Sequence, residues 1–212
     1  PGSFRVFTDL GVNAAVAVCE PSYSCVVVDS SQWGVCVCVE GEFGRMNVVS
    51  LYCKSDEPLE PYLRYIDAVL LLESSIPAIV CLDANATSPM WFSKVSRHTA
   101  GYRSHTRGEV MSEWVVANNL LVANEPSVWY TFEGPRGVSD IDVTLMNDAA
   151  AGRFECKWSV RGGWGISDHN LIQIMVTPGT PQLECVSPLR RWRTSGTDWN
   201  RYGHTVREAV LG

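Results

Sequence analysis

Residues 78–82, Ala-Ile-Val-Cys-Leu, are apolar without a break; the run opens behind Pro77 and ends on Asp83-Ala-Asn85. An extended segment that is apolar at every position offers no face to water. It belongs at the centre of a sheet covered on both sides. Strand-like runs, β-branched and cysteine-rich, surround it at 13–19, 25–29, 34–39 and 47–53, broken by Pro21, Ser30-Ser31 and the stretch Gly41–Gly44. Further strands are expected at 120–122, 128–132, 140–145, 154–159 and 170–176. Leu59, Tyr62, Leu63, Ile66, Val69 and Leu70 follow the spacing of one buried helical stripe, predicting a helix over 58–73. A second helix is expected over 108–118, with Val110, Trp114 and Val115 inward. Many strands, few helices and mostly local connections predict an α/β (α+β) chain: two packed mixed β-sheets flanked by helices.

Composition narrows the class. Hydrophobic residues make up 46% and charged residues 19% of 212, as in an ordinary soluble globular protein. No apolar run approaches the ~20 residues that span a bilayer, so no membrane partner is expected. The chain opens Pro1-Gly2-Ser3 without an initiator Met or a signal-peptide pattern, and is expected to be a fragment or processed piece. Eight cysteines without a CxxC pair, several inside apolar runs such as Val35-Cys-Val-Cys-Val39, read as reduced thiols rather than a disulfide or zinc framework. Net charge is −6, but residues 1–93 carry four basic side chains (Arg5, Arg45, Lys54, Arg64) against eleven acidic ones. Basic clusters appear downstream, at Arg97, at Arg103 and Arg107, from Arg153 to Arg161, and at Arg190–Arg193. That asymmetry fits either ordinary solvated surface or a nucleic-acid contact. After Pro178, Pro181, Pro188 and the basic stretch read as a linker, so 1–177 is expected to be one domain and 178–212 a tail toward a following one.

Three strings carry chemistry. At the end of the central strand, period-2 geometry points Asp83 and Asn85 to the same side, to hold a ligand or to cap the following turn. In Val138-Ser-Asp-Ile-Asp142-Val-Thr-Leu145, Ile141, Val143 and Leu145 share the apolar face, leaving Asp142 and Thr144 on the other. Asp140 sits at the strand entrance, where a solvated or turn role is expected. In Ser167-Asp168-His169-Asn170 an acid–imidazole pair stands at a loop–strand junction. Phosphodiester hydrolysis needs a metal to polarise the phosphoryl oxygens, a group to orient or deprotonate water, and stabilisation of the departing oxyanion. These residue types could supply all three.

In this order, Asp83-x-Asn85, Thr131-Phe132, Ser139-Asp-Ile-Asp142 and Ser167-Asp-His169 resemble the endonuclease/exonuclease/phosphatase superfamily, which includes DNase I and the apurinic endonucleases. The strings Asp83-Ala-Asn-Ala-Thr-Ser-Pro-Met-Trp91, Thr131-Phe132 and Ser167-Asp-His169 are most similar to its retrotransposon branch, the endonucleases of arthropod non-LTR elements that insert into ribosomal RNA genes. The resemblance spans about residues 1–177 and implies a four-layer α/β/β/α sandwich. It further implies a divalent-metal-dependent endonuclease that nicks double-stranded DNA in the nucleus as an isolated-domain monomer. The nick would leave a 3′-hydroxyl for a reverse transcriptase in the same polypeptide. Tyr52 would contact the scissile phosphate, Asp83 would orient or activate water, and Asn85 would hold the phosphate. Asp142 would pair with His169, and Asp168 would bind Mg²⁺ or Mn²⁺. Thr87 and Trp91 read as supporting or packing residues and stay among the candidates for DNA contact. Arg97, Arg103 and Arg107 form a candidate backbone-binding surface. Arg136, at the tip of a turn, would enter a groove or occupy a plain surface turn. The family's first strands, one ending in a metal-binding Glu, have no counterpart before Pro1; Glu20-Pro21 imitates that motif but lies too near Tyr52. An abasic-site repair nuclease and a DNA-binding module without catalysis remain the alternatives.

Overall fold

The computed structural model describes residues 4–94, 102–135, 137–163 and 167–179, with the backbone alone at 102 and 103. The expected linker and tail beyond 179 lie outside the described residues. A six-stranded sheet forms the centre. Its strands run in the order β3 (Ser24–Ser30), β4 (Val35–Gly41), β5 (Gly44–Tyr52), β6 (Ala78–Asp83), β10 (Asp142–Met146) and β7 (Leu121–Val122). All neighbours are antiparallel except β5 and β6, which are parallel because α1 (Glu60–Leu72) carries the chain back between them.

Helix α1 starts with Pro61 in its first turn, where no donor is lost, and buries Tyr62, Leu63, Tyr65, Ile66 and Val69. That stripe packs on Val49, Leu51, Val80 and Leu82 of β5 and β6. Helix α2 (Tyr102–Ala117) adds Met111 and Val115 to the same core. It begins six residues before the expected Gly108, because its first turns are polar and attach to loops through hydrogen bonds rather than an apolar stripe. Among the described residues, no helix is long and apolar enough to cross a membrane.

Two hairpins cover the opposite face of the sheet. In β1 (Arg5–Thr8) and β2 (Ala15–Val18), Val16 and Val18 pack against Val35, Val37 and Val39. In β11 (Phe154–Arg161) and β12 (Leu171–Pro178), Phe154 joins Ile79 and Met146, and Trp158 Nε1 donates to Thr144 Oγ1 at 3.1 Å. The result is a mixed sheet sandwiched between helices and a second β layer, as the strand pattern predicts. The described cysteines are all free thiols, with Cys36, Cys38 and Cys53 buried.

Two expected strands are displaced. Residues 128–131 are irregular, and a short hairpin, β8 (Phe132–Gly134) with β9 (Gly137–Ser139), follows them. The cause is Thr131, 1% exposed, whose hydroxyl accepts from Ile141 N (3.0 Å) and Asp142 N (3.2 Å). A side chain, not a strand ladder, thereby satisfies this buried backbone. Strand β10 starts at Asp142 rather than Asp140, since the Asp140 carboxylate caps Lys94 N (3.0 Å) and Thr131 N (3.3 Å). The remaining helix, α3 (Asp148–Ala151), is a single turn capped by the Asn147 side chain.

Candidate active site

Sheet register assembles the site. β5 and β6 pair Tyr52 with Asp83, and β6 and β10 pair Asp83 with Asp142. Directly paired residues point to the same face of a sheet. Three adjacent strand ends thus deliver a phenol and two carboxylates in a row. His169 reaches this row from the loop before β12, held by an antiparallel bridge to Phe132 and by Asn170 N, which donates to Thr131 O at 2.8 Å. Its Nδ1 lies 3.0 Å from Asp142 Oδ2 and its Nε2 3.6 Å from Asp83 Oδ2. The Phe132 ring meets the imidazole edge-on at 5.1 Å. Tyr52, Asp83, Asp142 and His169 line a groove of about 470 Å³ that also reaches Asn13 and Ser50.

The electrostatics of the row are strained. Burial, reinforced by the Asp142 carboxylate beside it, pushes the Asp83 carboxyl up to about 6, against the pull of His169, the Asn85 N–H and Arg107. The hydrogen bond to Asp142 holds His169 above its ordinary value; the negative charges of Asp142, Asp83 and Asp168 add to this, and burial opposes it. An imidazole between two carboxylates, with one carboxyl titrating near neutrality, is suited to moving a proton. The three side chains also offer ligand atoms within 4.8 Å of one another. Two of those donors are carboxylate oxygens, which suit a hard divalent ion that keeps waters and substrate oxygens in its shell.

The other predicted residues fall into three groups. Asn85 adjoins the row without entering it. Its N–H donates to Asp83 Oδ1 (3.1 Å) and its Nδ2 to Cys53 O (3.1 Å), so it shapes the turn as well as flanking the site. Asp168 is exposed and stands outside the three-residue group; its main-chain oxygen accepts from Glu133 N at 2.7 Å, tying the loop to β8. Glu20 is exposed, its carboxylate accepts from the Ser22 N–H and hydroxyl, and it stands outside the group of possible metal ligands among the described residues.

Three expected surface contacts are corrected. Trp91 is 2% and Thr87 4% exposed, and both pack inside. Arg107 is 7% exposed, with its two Nη atoms donating to the main-chain oxygens of Glu57, Ala84 and Cys53. Burial removes all three from a DNA-facing surface. Arg97, Arg136 and the Arg103 side chain lie outside the described residues.

Sequence reasoning passed over Asn124, whose side chain holds the strand bearing Asp142 by donating to Asp142 O (3.0 Å) and accepting from Thr144 N (2.8 Å). It also gave Phe132 and Thr131 no role, although both stand in the motif Thr131-Phe132.

The family described as endonuclease-reverse transcriptase matches residues 46–173, from β5 to β12. The chain belongs to this family. It is 43% identical over 205 residues to the putative 115 kDa protein in the type-1 retrotransposable element R1DM of Drosophila melanogaster, covering 95% of this chain and 20% of that protein. It is also 43% identical to the retrovirus-related Pol polyprotein from type-1 retrotransposable element R1 of Bradysia coprophila, covering 95% of this chain and 21% of the relative. The chain therefore spans about a fifth of the length of the curated relatives it matches. The solved endonuclease domain of TRAS1, a telomere-specific non-LTR retrotransposon, superposes with a TM-score of 0.71 at 26% identity, over 84% of this chain and 81% of that one. An endonuclease/exonuclease/phosphatase family protein from Bacteroides thetaiotaomicron, 13% identical with a TM-score of 0.55 over 85% of this chain and 77% of its own, shares the fold. Family, relatives and fold agree with the branch that the sequence motifs resemble.

Proposed function

We propose that this domain nicks double-stranded DNA by divalent-metal-dependent phosphodiester hydrolysis, leaving a 3′-hydroxyl that a reverse transcriptase in the same polypeptide extends. The observation that carries this reading is His169 set between Asp142 and Asp83 at the ends of two paired strands, beside Tyr52.

The Asp142 carboxylate accepts the Nδ1–H of His169, fixing the ring so that Nε2 faces the groove. With its proton held by the surrounding negative charge, Nε2–H donates to a non-bridging phosphate oxygen. The Tyr52 hydroxyl, on a side chain 37% exposed, donates to the same phosphate. Above a pH of about 6 Asp83 is ionised and accepts a proton from the attacking water. The new bond joins the water oxygen to phosphorus, the bond from phosphorus to the 3′ oxygen breaks, and that oxygen leaves with a proton from solvent or His169. A bound Mg²⁺ or Mn²⁺, held by Asp83 with the phosphate, would supply charge neutralisation for the phosphoryl group. On this reading the substrate is chromosomal DNA and the work is done in the nucleus.

The test is nicking of supercoiled plasmid by the domain in its natural polypeptide context. Open circles should form with Mg²⁺ or Mn²⁺ and not with a chelator, and a polymerase should extend the nicks directly. Cleavage confined to abasic plasmid would replace this reading with repair. Binding without cleavage would replace it with a non-catalytic DNA-binding module.

A further inference from the structure

Helix α2 meets the site from behind, at unusually close range. A Cβ on Gly108 would lie 1.9 Å from the Thr87 main-chain oxygen, so a glycine is required for the helix to sit at this depth. At that depth Thr87 N donates to Ser104 O at 3.0 Å, and the Ser88 and Ser112 hydroxyls meet at 2.8 Å. The neighbouring Arg107 then drives its guanidinium under the strand ends. It donates to Glu57 O at 2.6 Å, Ala84 O at 3.0 Å and Cys53 O at 3.4 Å. Cys53 follows Tyr52, and Ala84 lies between Asp83 and Asn85. Asn85, held in the left-handed region at φ 46°, returns its amide to the same Cys53 oxygen at 3.1 Å. Its Nη2 therefore joins the ends of β5 and β6 just beyond the residues that face the groove, while Nη1 ties them to the loop at Glu57. A lysine ammonium carries its donors on one nitrogen and cannot hold Glu57 O from a second one, as the planar guanidinium does.

We infer that Arg107, seated by Gly108, is a positioning residue for DNA nicking: by holding the Cys53 and Ala84 carbonyls on one guanidinium it fixes the spacing of Tyr52, Asp83 and Asn85 around the phosphate. The inference rests on the nuclease reading above. It also explains why a buried cation occupies this place without touching DNA.

The test compares Arg107→Ala, Arg107→Lys and Gly108→Ala with the parent in the full polypeptide, by single-turnover nicking, DNA affinity, thermal melting and amide exchange. Arg107→Ala should slow nicking by ~10²-fold, as small misplacements of reacting groups do, with DNA affinity within ~3-fold of the parent. Millimolar guanidinium, filling the space left, should restore a measurable part of the Arg107→Ala rate; ammonium should not. Guanidinium should not rescue Gly108→Ala, where the helix itself is displaced. Should Arg107→Ala fail to fold, Arg107→Lys keeps the buried charge and should still lower the rate ~10-fold at unchanged affinity, while the Cys53 amide, bonded to Asp83 O, loses exchange protection. Parental nicking by Arg107→Lys or Arg107→Ala overturns the inference, as does a loss that tracks the unfolded fraction and ignores guanidinium. Failure of the parent itself to nick would instead sink the nuclease reading. Exchange of the Cys53 amide, which donates to Asp83 O at 2.8 Å, would then still report whether Arg107 holds the strand ends.

Discussion

The two halves of the site are held by different physics. Tyr52, Asp83 and Asp142 stand on strand ends whose positions follow from ladder register across three paired strands. His169 stands on a loop, placed by one bridge to Phe132, by Asn170, and by the Thr131 hydroxyl that anchors the facing segment. The first half is fixed by backbone pairing that many residues share. The second depends on a few side-chain contacts, and single substitutions should disturb it separately. The difference also separates charge from placement: the strand half concentrates carboxylates that burial penalises, and the loop half brings the imidazole that relieves them.

Substitutions in both halves probe this contrast. The largest effect is expected from His169→Ala, which should reduce single-turnover nicking by ~10²-fold or more. Its melting temperature should change little, because the side chain is one-third exposed and outside the core clusters. Parental nicking by this variant would remove the loop half from the chemistry.

Asp83→Asn should also abolish most nicking, yet should stabilise the fold. The folded-state carboxyl titrates near 6, above the model-compound value of 3.8, so the folded state binds the extra proton and stability declines as pH rises between those values. His169 adds to the same trend: its raised value gives stability that is present at low pH and lost as pH rises through it. Removing the Asp83 charge should therefore raise stability at pH 7 by roughly 1–3 kcal/mol, with no gain near pH 4. Denaturant melts at the two pH values measure this directly. An equal or opposite change at both would show that the strand half carries no electrostatic strain.

Thr131→Val removes the acceptor for two buried N–H groups and should cost about 1–3 kcal/mol in unfolding free energy. It should also slow nicking more than its stability loss explains, since Asp142 N is one of the two groups released. Phe132→Leu should have the smallest effect, roughly threefold on the nicking rate, through loss of the edge-on contact that orients His169.

The strand half was legible in the sequence because period 2 and an unbroken apolar run settle both where a strand ends and which side its acids face. Asp83 and Asp142 needed no knowledge of the rest of the chain. His169 was legible as a residue type beside an acid, and its pairing with Asp142 through the family resemblance; its contacts with Phe132 and Asp83 were not, because loop geometry leaves no periodic trace. Arg107 read as surface charge, as arginines in polar helix turns do; the three carbonyls that bury it are distant in sequence and carry no side-chain signature. The same turns hid the first part of α2, since Tyr102–Arg107 lacks the apolar stripe that made α1 plain. Trp91 and Thr87 pack inside, as their reading as supporting residues expects, and only their candidacy for DNA contact falls to burial. The strand expected over 128–132 failed for a related reason: Thr131 satisfies its neighbours through a hydroxyl, and β-propensity cannot distinguish that from ladder pairing.

The central claim is that Asp142 and His169 act as one unit on the phosphate, and a double-substitution cycle on the nicking rate tests it most directly. If Asp142 works through the imidazole, the pair Asp142→Asn with His169→Ala should nick no more slowly than His169→Ala alone. Losses that multiply in the double variant would show two independent roles and contradict the account.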